Sequence, residues 1–95
     1  MSRIPITLMA MQLGTHYVSR KAAGRLNSKD AMDSLDRHMI GDYGDVDEFD
    51  WKTNDLAWEY GFPVVSSYVD RKKTRFLIIT EADRSATTIL LPEEY

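Results

Sequence analysis

The stretch "VVSSYVDRKKTRFLIITEADRSATTILL", residues 64–91, decides the fold. It holds three runs rich in β-branched and aromatic residues: "VVSSYVD", "TRFLIIT" and "ATTILL". "RKK" and "EADRS" separate them, and both are lengths that suit hairpin turns. The pattern predicts a three-stranded antiparallel meander. One face of it would turn Leu77, Ile79, Ile89 and Leu91 toward a covering layer.

Candidates for that layer lie upstream. Ser19 can cap a short helix over Arg20–Leu26, and Ser28 a second from Lys29 to about Met39. Met32, Leu35 and Met39 recur at three- and four-residue spacing as an apolar stripe, and Gly41 supplies the stop. A third helix has the fullest local signature. Asp47 is placed as N-cap, Glu48 and Asp50 sit in the first turn where the helix dipole favours negative charge, and Gly61 follows the end. Val46 and Trp51 are spaced as a hydrophobic staple. Phe49, Leu56, Ala57 and Tyr60 supply inward-facing candidates. The opening "PITLMAMQLG" reads as a strand and "HYV" (16–18) as a second short extended piece, so an N-terminal strand can join the sheet as a fourth. Helices followed by a meander predict an α+β domain.

Size and composition narrow the function classes. Ninety-five residues make one domain with a small core, for which homodimerisation is an easy source of further burial. Cysteine is absent, which excludes a disulfide scaffold, a thiolate zinc site and a cysteine nucleophile. The apolar run near the start is too short to span a membrane and lacks a signal-peptide cleavage pattern, so the expectation is a soluble cytoplasmic protein without a membrane partner. Net charge is −3 but unevenly spread. Six acids between Asp42 and Asp55 face a single Lys52, whereas Arg20, Lys21 and Arg25, and then Arg71, Lys72, Lys73 and Arg75, form basic groups. Such a surface suits a protein partner and argues against direct nucleic-acid binding, which calls for a basic excess.

The segment "HMIGDYGDVDEFDWKTND" (38–55) concentrates the unusual chemistry. As a calcium loop starting at Asp45 it fails, because Phe49 stands at the fifth position and Asp50 at the sixth, where glycine is needed. His16 and His38 are the only histidines and lie far apart, so no nitrogen-rich metal site is expected. The expectation is no metal and no cofactor. Acid–base chemistry is an alternative if His38, Asp42, Asp45, Glu81 and Asp83 converge from two turns, with Arg84 as an electrophile or phosphate clamp. No phosphate loop, nucleophile elbow or zinc-protease motif accompanies them. Recognition is the other reading. Asp42, Asp45 and Glu48 would steer a basic protein surface toward Tyr43 and Trp51 as aromatic anchors. The plainest reading, caps and solvated acids, stands beside both.

The blocks His38, Gly41, Asp42, Gly44, Asp45 and Asp50 with Asn54, and Ile79 to Tyr95, resemble a family of small bacterial proteins carried on plasmids, integrative elements and phages. Some carry the description "plasmid-related protein" and others that of a restriction–modification subunit. The resemblance covers roughly residues 13–95, departs at Tyr43, where tryptophan is expected, and leaves out the first dozen residues. A chain of this length without a glycine-rich cofactor motif does not make a methyltransferase subunit. The resemblance implies no particular activity. It implies a mobile-element setting, in which small acidic proteins often inhibit host defence. The reading is therefore a non-enzymatic accessory protein that binds a host or element-encoded partner, as an anti-CRISPR or anti-restriction inhibitor of a defence nuclease. The alternative is a small enzyme or nuclease-like toxin built on His38, Asp42, Asp45, Glu81 and Arg84.

Overall fold

A computed structural model describes residues 13–95, apart from the side chains of Trp58 and Glu59. The order is β1 (Thr15–Val18), α1 (Arg20–Arg25), α2 (Ser28–Met39), α3 (Glu48–Tyr60), β2 (Val64–Val69), β3 (Arg75–Thr80) and β4 (Ala86–Leu90), ending in a single 3-10 turn, Pro92–Glu94. The protein is α+β. The sheet order is β1-β4-β3-β2. β2, β3 and β4 pair antiparallel through the two expected hairpins. The sheet is not the bare meander, however: β1 adds to β4 in parallel, with His16 beside Thr87 and Val18 beside Ile89, so the sheet is mixed. Most of the predicted strand "PITLMAMQLG" lies outside the described residues; within them the edge strand begins only at Thr15.

Strand alternation fixes which side chains meet the helices. Val64, Ser66 and Tyr68 of β2, Phe76, Ile78 and Thr80 of β3, and Thr87 and Ile89 of β4 are all buried. Leu77 and Ile79 were expected on this face beside Ile89 and Leu91. The register corrects that: Ile78 pairs with Ile89 and Leu77 with Leu90, so Leu77 and Ile79 point to the opposite side. A one-residue phase error turns a strand residue from one face to the other, and a run such as "FLIIT", apolar at successive positions, does not signal its phase.

The helices follow their caps. Asn27 rather than Ser28 caps α2, its side-chain oxygen accepting from the Asp30 amide at 3.0 Å, and Asp47 caps α3 by accepting from the Asp50 amide at 2.8 Å. Gly61 ends α3 in the left-handed conformation open to glycine. The buried stripe of α2 is Ala31, Ser34, Leu35 and His38, one residue round the helix from the expected one, and Met32 is exposed. On α3, of the four candidates expected inside, only Ala57 is buried; Phe49, Leu56 and Tyr60 face solvent.

Candidate functional site

The histidine that opens the acidic segment is sealed inside. His38 is 0% exposed, pressed by α2 onto the middle of the sheet. Its Nδ1 meets the Ser66 hydroxyl and its Nε2 meets the Thr80 hydroxyl at 2.8 Å. Thr80 bonds Thr87 at 2.8 Å, and Thr87 donates to the Leu13 carbonyl at 2.7 Å. A hydroxyl has one proton, so these contacts order the chain. Thr87 spends its proton on Leu13, Thr80 must donate to Thr87, His38 Nε2–H donates to Thr80, and Ser66 donates to His38 Nδ1. The ring is therefore the neutral Nε2–H tautomer. Burial, and then the charge of Arg84, lowers its pKa from 6.5 to about 4. Three strands, a helix and the segment before β1 converge on one satisfied polar line, and no buried side-chain polar atom among the described residues lacks a partner.

The "GDYGD" turn closes the outer edge of β2. Tyr43 carbonyl accepts from the Ser67 amide at 3.0 Å, and the Asp45 amide donates back to Ser67 at 2.7 Å. Gly44 sits between them at φ +72°, and an added Cβ there would overlap the Ser67 carbonyl. One step along the edge, the buried amide of Asn54 receives the Val65 N–H at 3.1 Å and donates to the Val65 carbonyl at 2.8 Å. Turn and asparagine together do for β2 what a fifth strand would do, satisfying an otherwise unpaired edge. No pattern in the sequence marks Asn54 for this role, because it depends on α3 lying along β2.

Tyr43 is 1% exposed, donates its hydroxyl to Asp55 at 3.1 Å, and meets Trp51 edge-on at 5.1 Å. Both rings build the core margin and are not offered as anchors; Trp51 is half-buried. Asp42 is held by Arg37 through two hydrogen bonds of 2.8 and 3.2 Å, and this guanidinium keeps its carboxyl below the usual carboxylate range. Arg37 also lies 4.9 Å over the Tyr68 ring, whose hydroxyl donates to the Asp42 carbonyl at 2.6 Å. Asp45 makes a looser 3.5 Å contact with Arg75, and Glu48 a 3.2 Å exposed pair with Lys52.

The alternative catalytic set does not assemble. Both ring nitrogens of His38 are taken by Ser66 and Thr80, leaving neither for Asp42, Asp45 or Glu81. Glu81 and Asp83 are exposed in the β3–β4 turn, where Asp83 accepts from the Ser85 amide. Arg84, at φ +63°, donates to the carbonyls of Phe62, Glu81 and Ala82 and to that of Ala57 in the last turn of α3. It pins a hairpin turn to a helix end whose carbonyls need donors. Among the described residues, no group of three or more histidine, aspartate or glutamate side chains is arranged to hold a metal ion. No helix among them is long and apolar enough to cross a membrane.

What the surface does present is on α3. Phe49, Leu56 and Tyr60, at 76, 50 and 61% exposure, are spaced seven and four residues apart. At 3.6 residues per turn they fall on one line. Phe62 stacks on Tyr60 at 6.1 Å and extends the line past the helix end. Glu48 and Asp55 flank it on one side and Asp50 on the other, all exposed. This acidic, aromatic-bearing ridge is the candidate interface. No family model matches the chain, and neither a curated protein nor a solved structure is found to be similar to it.

Proposed function

We propose that this protein is a non-enzymatic accessory protein of a mobile genetic element that binds a basic surface on a protein partner through α3. The observation carrying this reading is the Phe49–Leu56–Tyr60 line, left in water with carboxylates on both flanks. Apolar residues in a contiguous exposed line are a cost in an isolated soluble domain and a signature of recognition. Aromatic anchors bounded by steering charges are how many interfaces divide affinity from association rate. The setting, inhibition of a host defence nuclease in an anti-CRISPR or anti-restriction role in the cytoplasm, is supported by the sequence resemblance of residues 38–54 and 79–95. The acids and aromatics thus keep the role read from the sequence, but the anchors move from Tyr43 and Trp51 to Phe49, Leu56 and Tyr60. The enzyme reading on His38, Asp42, Asp45, Glu81 and Arg84 has no observation in its favour, since each of those groups except Glu81 has a structural bond.

The test compares the protein with Phe49→Ser/Leu56→Ser as bait in host lysate, followed by mass spectrometry and by nuclease assays on any captured complex. A partner retained by the natural chain and lost by the variant, with its nuclease activity reduced only by the natural chain, supports the proposal. Equal capture by both, or none at several salt concentrations, removes α3 as the interface.

A further inference from the structure

The sheet has a second face. Alternation places Val65, Ile79, Thr88 and Tyr17 opposite the buried row, and the register joins them across all four strands: Val65 beside Ile79, Ile79 beside Thr88, Thr88 beside Tyr17. Among the described residues no helix lies across this row as α2 lies across its counterpart with His38, although Ile79, at 8% exposure, is itself buried. Instead, α3 borders it on one side and the C-terminal turn on the other, leaving a groove. Two lobes of about 290 Å³ each open from it and share Pro63 and Tyr95. The floor is Ile79, Thr88 and Leu90 in one lobe and Val65 in the other.

The charged side chains that line the groove, among the described residues, are all acidic, while the Arg84 guanidinium lies just outside it on the carbonyls of Phe62 and Glu81. Asp50 lines one lobe and Glu81 and Glu94 the other, and no lysine or arginine among the described residues lines either. Glu94 is engaged, accepting from Ser19 and the Leu91 amide with Lys21 and Arg25 nearby. The carboxylates of Asp50 and Glu81 have no side-chain partner among the described residues. Tyr95, 72% exposed, adds a ring between the lobes. Each lobe is of a size for one or two side chains, given that a cavity of roughly 150 Å³ accepts a benzene ring. Two small lobes split by Pro63 and Tyr95 suit separate side chains of one chain better than a single compact ligand.

We infer that this groove binds an extended, basic segment of a protein partner, aliphatic side chains resting on Val65, Ile79 and Leu90 while Lys or Arg side chains reach Asp50 and Glu81. The groove floor is distinct from the α3 ridge, with Asp50 shared at the boundary of the two, and the inference does not depend on the ridge binding a partner. A second copy of the chain is a poor occupant. Its own basic turn, Arg71–Lys73, is tied back through Arg71 to Asp30 and through Lys72 to the Arg25 carbonyl, and it carries no apolar residue to set on the floor.

The experiment is an amide NMR titration of the full chain with a capped Lys-Leu-Lys-Leu-Lys-Leu peptide, at low and high salt, against a Glu-Leu peptide of equal length. The expected result is shift changes at Val65, Ile79, Thr88 and Leu90 with the basic peptide only, weakening as salt screens the rim. Asp50→Lys/Glu81→Lys is expected to bind the basic peptide roughly tenfold more weakly and to gain binding of the acidic one, because rim charge sets complementarity. Both positions are exposed, and an unchanged melting temperature checks that the variant folds. Four results would overturn the inference: no shifts, equal response to both peptides, shifts confined to Phe49, Leu56 and Tyr60, or groove signals that depend on protein concentration alone. Contacts from residues 1–12 to Ile79 or Leu90 in the free protein would overturn it too, by making the chain's own segment the occupant.

Discussion

α2 and α3 invert the usual distribution of polarity in opposite senses. α2 buries Ser34 and His38 at the centre of the molecule, while α3 leaves Phe49, Leu56 and Tyr60 in water. The difference lies in what each helix faces. α2 lies on strand positions occupied by Ser66, Thr80 and Thr87; the two threonines bond each other and the Leu13 carbonyl, but the Ser66 hydroxyl would be unsatisfied under an apolar helix, and a histidine there completes the line. α3 faces the edge of β2, where the needed group is an amide, Asn54, and its opposite side leaves Phe49, Leu56 and Tyr60 exposed. Burial is thus set by partners rather than by side-chain hydropathy. A buried polar residue here reports its structural partners, and the exposed apolar line on α3 is what the proposed partner would use.

Removing the buried histidine should have the largest effect. His38→Ala leaves a cavity and strands the Ser66 hydroxyl, a combined loss of about 4 kcal/mol in urea unfolding. A loss below about 1 kcal/mol would show that the line is dispensable and that α2 and α3 differ less than their burial suggests.

Acid probes the same contrast without mutation. In the unfolded chain His38 takes up a proton near 6.5, in the folded protein only near 4. Above 6.5 neither state is charged and the residue contributes no pH dependence. Between 6.5 and 4 only the unfolded state binds the proton, so stability falls with pH, by about 3 kcal/mol across the window, and levels off below it. The Asp30 carboxyl, hydrogen-bonded by Arg71 and held down to about 2, acts in a separate window: its stabilisation is present above its ordinary value of 3.8 and is lost as pH falls toward 2. Urea midpoints from pH 7.5 to 4 for the natural chain and His38→Asn measure the first window. Parallel curves would refute the neutral, buried ring.

Gly44→Ala should come next, at about 2 kcal/mol, since alanine is strained at positive φ and its methyl meets the Ser67 carbonyl. Thermal melts would register it. Asp47→Ala should cost about 1 kcal/mol through loss of the α3 cap. Phe49→Ser/Leu56→Ser should be the mildest, within about 0.5 kcal/mol, because surface substitutions away from structural bonds change little. If that pair instead destabilises strongly, the α3 line is packed against something in the free protein and the comparison between the helices fails.

The sequence by itself determined the local grammar. The hairpin turns "RKK" and "EADRS", the Asp47 cap, the Gly61 stop and the helix-then-strand order are all present, because caps and turns depend on residues within a few positions of one another. The tertiary structure decided everything that depends on a distant neighbour. It chose the phase of β3, since Leu77, Ile78 and Ile79 are equally apolar and only pairing with β4 tells them apart. It set β1 parallel to β4, a pairing across about seventy residues of chain. It buried Tyr43, which the sequence offered as an anchor, in the closure of β2, and it left Phe49 outside. Local backbone preference is written in adjacent residues; which side of an element meets another is settled only when hydrogen-bond partners and packed surfaces from remote parts of the chain come together.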